Sequence, residues 1–218
     1  MTDTSKAGPA RQNWLVVMAK EPRCGAVKSR LAKDIGSVAA TAFYRNALRN
    51  VTARLVRDPR WNTLIAVTPD TAVAAPVWPS AFGYVCQGSG DLGARMQGLF
   101  DTLPPGPVVF IGTDIPEITA AHVANAFTAL GSNDAVIGPG DDGGYWLIGL
   151  RRTPKIPRAF EGVRWSSPHT LDDTLANLRH SRVAMLDQLT DVDDGRSYHR
   201  LGTASARRIL PLATGIRT

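Results

Sequence analysis

The chain has 218 residues, 44% hydrophobic and 20% charged, which suits one soluble globular domain with a substantial core. No apolar run approaches the roughly 20 residues of a membrane span. The polar start Met1–Asn13 lacks the apolar centre of a signal peptide, so a disordered tail and cytoplasmic residence are expected. Two cysteines, Cys24 and Cys86, make neither a disulfide framework nor a zinc set. A net charge of +6 and a pI near 9.7 favour anionic ligands. The arginines are spread and not interleaved with aromatics, so no nucleic-acid footprint is read, and Arg207-Arg208 to Arg217 is at most a weak basic patch. Phosphorylated small molecules are the expected partners.

Leu15 to Ala19 is a short apolar run ended by Pro22 and Gly25, which reads as a strand buried on both faces. Gly25 frees the backbone for a tight loop, and Ala26 to Lys33 is composed of helix formers. Strand, glycine loop and helix start aim N–H groups and a helix dipole at one point, and Lys20, Arg23, Lys28 and Arg30 crowd it with positive charge. This predicts a cradle for nucleotide phosphates, against the plainer reading of a solvated basic face and an ordinary turn. The segment lacks the Gly-Lys pair of a P-loop.

Tyr44, Leu48, Val51 and Leu55 recur at helical spacing, which predicts a core-covering helix ending at Asp58-Pro59. Leu64 to Val67 and Phe82 to Gln87 read as strands. Gln87-Gly-Ser-Gly-Asp-Leu-Gly93 is a second glycine-rich turn before a helix over Leu92 to Thr102. There Gln87, Gly90, Asp91 and Gly93 are candidates for nucleotide contact, or Asp91 is simply the N-cap of that helix.

Val108 to Ile111 is a buried strand running into Gly112-Thr113-Asp114, which puts a carboxylate where ligands of open α/β sheets sit. A hard divalent cation on a diphosphate needs such a ligand. Asp114 as a helix cap is the alternative, but Thr119 is better placed to cap the helix Ala120 to Leu130. Asp134 to Gly138 and Leu147 to Leu150 are strands flanking Gly140-Asp-Asp-Gly-Gly-Tyr145. That turn could expose bare backbone to a ligand, or be only hairpin chemistry. Trp165 reads as core or as the edge of an acceptor pocket, Ser166 or Ser167 as a cap for a helix from Thr170 to Arg179, and His169 as a surface residue. Val183 to Leu186 is the last strand. Asp191 and Asp193, at i and i+2, would turn to one side of an extended segment and suit a metal, or form a solvated acidic turn.

These segments together carry a resemblance. Met18-Ala-Lys-Glu-Pro-Arg-Cys-Gly-Ala-Val-Lys-Ser-Arg-Leu31, Gly90-Asp-Leu-Gly-Ala-Arg-Met96, Gly112-Thr-Asp-Ile-Pro116, Gly138-Pro-Gly-Asp-Asp-Gly-Gly-Tyr145, Trp165-Ser-Ser167 and Asp191-Val-Asp193 occur in order. The chain resembles a bacterial family of glycosyltransferase-A-like transferases, described as associated with radical-SAM and selenium domains or with arsenosugar biosynthesis. More distantly it is similar to 2-phospho-lactate guanylyltransferases. The resemblance spans about Trp14 to Tyr198. It implies a nucleotide-diphospho-sugar transferase fold, a Rossmann-like α/β/α sandwich with a mixed, mainly parallel sheet. One domain over 14–203 would lie between tails at 1–13 and 204–218.

By that resemblance Asp114, Asp191 and Asp193 hold Mg²⁺ or Mn²⁺, and the turn at Asp142-Gly143-Gly144 faces the acceptor with Tyr145, Trp165 and Ser166. Lys20, Gly25, Lys28 and Arg30 hold the donor phosphates, and Asp142 orients or deprotonates the acceptor, which makes Asp142 and Asp114 the candidate catalytic pair. The chain departs from the sugar-nucleotidyltransferase signature, having Ala19-Lys20 where a glycine pair is usual and Asp194 after Asp191-Val-Asp193 where threonine is usual. Glycosyl transfer is the expected reaction, with nucleotidyl transfer or a non-catalytic nucleotide-binding protein as alternatives, and a homodimer is possible.

Overall fold

The computed structural model describes residues 12–78, 83–152 and 155–201. Most of the two expected tails, and the basic stretch from Arg207 to Arg217, lie outside these residues. Seven strands form one sheet: β1 (Trp14–Lys20), β2 (Asn62–Thr68), β3 (Gly83–Cys86), β4 (Val108–Ile111), β5 (Ala135–Pro139), β6 (Tyr145–Leu150) and β7 (Val183–Met185). Their order is β3-β2-β1-β4-β6-β5-β7. All pairs are parallel except those that β6 makes with β4 and β5. The sheet is therefore mixed and mainly parallel, as expected.

Alternation along the strands explains the layers. Leu15, Val17, Ile65, Val67, Val109 and Ile111 face one side, where Leu48, Val51 and Leu55 of α2 (Ser37–Leu55) and Val123, Ala126 and Leu130 of α4 (Ala120–Leu130) cover them. Val16, Ala66, Val108, Phe110 and Ile148 face the other, under Met96, Leu99 and Phe100 of α3 (Leu92–Thr102) and Leu175 and Leu178 at the end of α5 (Thr170–Asn177). Strands buried on both faces read as unbroken apolar runs, which is why they are visible in the sequence. Phe100 and Phe110 meet edge to face with ring centroids 4.6 Å apart, anchoring α3.

Three elements differ from expectation. The helix expected from Ala26 begins only at Ser29 (α1, Ser29–Ile35), because Lys28 sits in the left-handed region at φ 50° and cannot continue a helical turn. A short helix not expected, α6 (Gly195–Arg200), follows the acidic segment; Asp194 caps it, accepting from Ser197 N at 2.8 Å. The helix expected to start on a Ser166 or Ser167 cap has His169 at that position, while Ser167 Oγ accepts from His169 N.

This topology decides where a ligand can bind. β1, β2, β3, β4, β5 and β7 run the same way, so their carboxyl ends share one edge, and antiparallel β6 starts there. Lys20, Gln87, Gly112–Asp114, the turn at 140–145 and the segment 186–193 collect at that edge. The connection from β1 leads to β2 on one side and that from β3 leads back to β4 on the other, the switch point at which such sheets open a crevice.

Gly138 lies in this framework with no room for a side chain. A Cβ there would stand 2.4 Å from the Trp146 ring. Gly138→Ala is expected to lower stability by about 1–3 kcal/mol through overpacking, read as a lower urea midpoint with an unchanged slope.

Candidate active site

Two clefts open at the carboxyl edge and meet at Asp114. The first, about 450 Å³, is lined by the end of β1, the loop before α1 and the start of α1; Lys20, Lys28, Arg30, Gln87, Asp114 and Asp193 all border it. The second, about 270 Å³, is bordered by Asp114, Asp142, Gly144, Tyr145, Trp165 and Asp191. Leu92 and Gly112 also border both.

Lys28 holds the junction. Its Nζ donates to Asp193 Oδ1 at 2.6 Å and lies 3.1 Å from Asp114 Oδ2, with its side chain only 4% exposed. Burial alone would lower its pKa; the two carboxylates outweigh that and raise it, so it stays an ammonium. Arg30 Nη1 donates to Asp193 Oδ2 at 3.5 Å. The backbone at Lys28 is left-handed without being glycine, strain of the kind that concentrates at functional sites.

The carboxylates are crowded. Asp114 Oδ1 is buried and has no hydrogen-bond partner, and burial raises its pKa while Lys28 opposes the rise. Asp191 is pushed up to about 7, by burial first and then by Asp193, Asp142 and Asp114, with Lys28 opposing. Four acids thus crowd together, with Lys28 paired to Asp114 and Asp193 and Arg30 to Asp193. That excess of negative charge, the hard oxygen donors and the orphaned Asp114 Oδ1 fit a divalent cation. Among the described residues no three acidic, His or Cys side chains converge as a ready-made metal set.

The expected arrangement of Asp191 and Asp193 on one side of an extended segment does not occur. Asp193 borders the first cleft and Asp191 the second, because residues 191–194 are an irregular loop and strand alternation does not apply. The loop is pinned at three points. Val192 N donates to Asp114 O, Val192 packs with Leu31 and Phe43, and Gly195 N donates to Asp34 Oδ2 at 2.7 Å.

The other candidates fall into three groups. Lys20 stands at the exposed end of β1, where its N–H donates to the Tyr44 hydroxyl and its carbonyl accepts from it; burial raises the Tyr44 pKa to about 12. Gln87 borders the first cleft, yet its amide nitrogen donates to Ala19 O and Ala66 O, so only its carbonyl oxygen is left for a ligand. Gly25 forms the turn at φ 77° and does not border either cleft.

The glycine-rich turn after β3 does structural work. Asp91 caps α3 by accepting from Ala94 N at 2.8 Å, and Gly90 O accepts from Arg95 Nε. At Gly93 a Cβ would come within 2.7 Å of the Trp165 ring and 3.0 Å of Phe160, so bare backbone there seats Trp165 on α3. Asp91 and Gly93 border a separate hollow of about 270 Å³ and neither of the two clefts, because α3 turns them toward Phe160.

The turn after β5 is built on Asp142, whose Oδ1 accepts from Gly144 N at 2.8 Å. Gly143, at φ 85°, lies against the backbone of Pro168, where a Cβ would clash at 2.3 Å, and its carbonyl accepts from Leu171 N. This contact carries Trp165, Ser166 and Ser167 to the second cleft. Sequence reasoning missed the supports Tyr44, Asp34 and Arg54, whose Nη1 donates to Pro116 O at 2.6 Å behind Asp114. Their only signal is a polar group on an otherwise core-facing helix.

A family profile described as an uncharacterized protein conserved in bacteria (DUF2064) matches residues 51–167, more than half of the chain. The chain belongs to this family. A candidate nucleotide-diphospho-sugar transferase from Desulfovibrio desulfuricans G20 is 29% identical, covering 90% of this chain and 93% of its own, with a TM-score of 0.77. CMP:2-keto-3-deoxy-manno-octonic acid synthetase complexed with CTP is 10% identical over 90% of this chain and 99% of its own, with a TM-score of 0.56. A manganese complex of Rv0371c from Mycobacterium tuberculosis H37Rv is 20% identical over 88% and 98%, with a TM-score of 0.52. The last two share the fold. No protein of curated function matches the chain. The DUF2064 chain thus has the nucleotide-diphospho-sugar transferase fold, and among its described residues no helix is long and apolar enough to cross a membrane.

The loop bearing Trp165 is clamped by Arg164, whose backbone N, Nε and Nη2 all donate to Asp173. These bonds hold the Asp173 carboxyl well below its ordinary range. A depressed carboxylate stabilises the fold above its unfolded pKa and loses that contribution as acid protonates it. Asp173→Asn should therefore melt at a lower temperature at pH 7, with the gap to the parent protein kept to about pH 4 and closing below, read by circular dichroism.

Proposed function

We propose that this protein transfers a sugar from a nucleotide-diphospho-sugar to a small acceptor with the help of a divalent cation. The observation that carries the proposal is the division of the site: Lys20, Lys28 and Arg30 border one cleft, the other has carboxylates and aromatic rings but no Lys or Arg, and both open onto Asp114. The similarity to the Desulfovibrio protein, named as a candidate nucleotide-diphospho-sugar transferase, supports it.

In this reading the nucleoside diphosphate lies in the first cleft against Lys20, Lys28 and Arg30. Asp114, Asp191 and Asp193 would hold Mg²⁺ or Mn²⁺, which when bound supplies positive charge opposite the departing diphosphate. Asp142, at the second cleft, orients the acceptor hydroxyl and takes its proton. The acceptor oxygen bonds to the anomeric carbon as the bond from that carbon to the diphosphate oxygen breaks, and the diphosphate leaves with the bonding electrons. Lys28, already an ammonium tied to Asp114 and Asp193, is placed to balance charge as the diphosphate forms. Tyr145 and Trp165 exclude water from the acceptor side.

The test is a melting-temperature panel of nucleotide sugars and nucleoside triphosphates with and without Mg²⁺ or Mn²⁺. Metal-dependent stabilisation by one nucleotide sugar is expected. Stabilisation by a triphosphate alone, with pyrophosphate release on turnover, would move the assignment to nucleotidyl transfer.

Two substitutions separate the roles. Asp114→Asn should slow transfer about 100-fold or more, because it removes charge at the reacting centre. Arg30→Ala should weaken nucleotide-sugar affinity about tenfold, about 1.4 kcal/mol, by removing one charge-assisted contact. A D114N protein with full transfer rate would overturn the assignment.

A further inference from the structure

The charged side chains of the second cleft are all of one sign. Among the described residues that border it are three carboxylates, Asp114, Asp142 and Asp191, and no Lys, Arg or His. The nearest ammonium, Lys28, is committed to Asp114 and Asp193 in the first cleft.

Several of its hydrogen-bond donors are committed as well. Gly112 N donates to Trp146 O, Gly140 N to Gly144 O and Gly144 N to Asp142 Oδ1. The Ser167 hydroxyl donates to Arg164 O at 2.7 Å, and that of Thr170 lies 2.8 Å from the same carbonyl and 2.9 Å from Ser167 O. With their protons held by carbonyls, both hydroxyls present lone pairs. Anion sites are made of the opposite equipment, free N–H groups and cations.

The rest of the wall is apolar and aromatic, with Ile115, Ile118, Tyr145 and Trp165. The last two rings stand edge to face with centroids 6.4 Å apart. Faces of Trp and Tyr attract an ammonium. Trp165 Nε1 is buried without a partner, as is the Tyr145 hydroxyl, and each suits an uncharged oxygen.

We propose that the acceptor is a small hydroxyl compound with an apolar or aromatic body that is uncharged or carries an ammonium group, and that the cleft rejects phosphorylated and carboxylated acceptors. This rests on reading the second cleft as the acceptor site. Rejection comes from like charge on Asp142, the one carboxylate of the three not given to the cation, and from the lack of any Lys, Arg or His on the wall to meet an anion.

A matched series tests it on the full chain with Mg²⁺ present and no donor: tyramine, tyrosol and 4-hydroxyphenylacetate, which share a phenol and differ in the charge of the other end. Tyramine and tyrosol at millimolar concentration are expected to raise the melting temperature by about 2–4 °C, and 4-hydroxyphenylacetate to leave it unchanged. Ser166→Lys, which adds a cation at the rim, should make 4-hydroxyphenylacetate stabilising and weaken tyramine. Equal stabilisation of the parent protein by 4-hydroxyphenylacetate, or none by tyramine and tyrosol, overturns the proposal. If that happens while a nucleotide sugar still stabilises the protein, sugar transfer stands and only the acceptor class falls. The charge order appearing without any response to nucleotide sugars means the reverse.

Discussion

One ammonium, that of Lys28, joins three distant parts of the chain at the ligand edge of the sheet. It ties the loop after β4 to the acidic segment 165 residues further along than itself. Taking a lysine out of water is costly, and the attraction of two carboxylates must repay it. Breaking a fully buried pair costs about 3–5 kcal/mol. Here the sum is smaller, because Asp114 and Asp193 keep 43% and 37% of their side chains exposed. The left-handed backbone of Lys28 belongs to the same arrangement: it stops the helix from starting early and turns the side chain inward. Without Lys28, Asp114 would have no ion-pair partner among the described residues and Asp193 would keep only Arg30.

The sheet was legible because its strands are covered on both sides. Leu15 to Ala19, Leu64 to Val67 and Val108 to Ile111 have no solvent-facing side to interrupt them, so their apolar runs stand out. Asp114 at the end of such a run could be placed at the ligand edge before any coordinates. What alternation could not supply was the direction of side chains in irregular segments. Asp191 and Asp193 are two residues apart, but their loop takes its shape from Val192 packing under Phe43 and from the cap at Asp194, not from a strand's pleat.

Glycines were legible as turns and illegible as packing surfaces. Gly93 and Gly143 sit in motifs that suggest ligand contact, yet each is where another segment of the protein lies against bare backbone: Trp165 on one, Pro168 on the other. Close approach is a tertiary fact, and a glycine in a sequence does not say what approaches it. Gln87 is a similar case, since half of its amide is spent on the ends of β1 and β2. The capping pair Asp194 and Ser197 was the one local signal for α6.

The contacts of the acidic loop also order events in time. Asp193 meets Lys28, and Gly195 meets Asp34, across 165 and 161 residues of chain, while the strands of the sheet pair over shorter spans. A chain made from its amino end exposes Asp193 only after every strand has emerged. During synthesis the sheet can therefore be complete while Lys28 still lacks one of its two carboxylates. The acids are thus gathered by a segment that emerges only after the scaffold that restrains them.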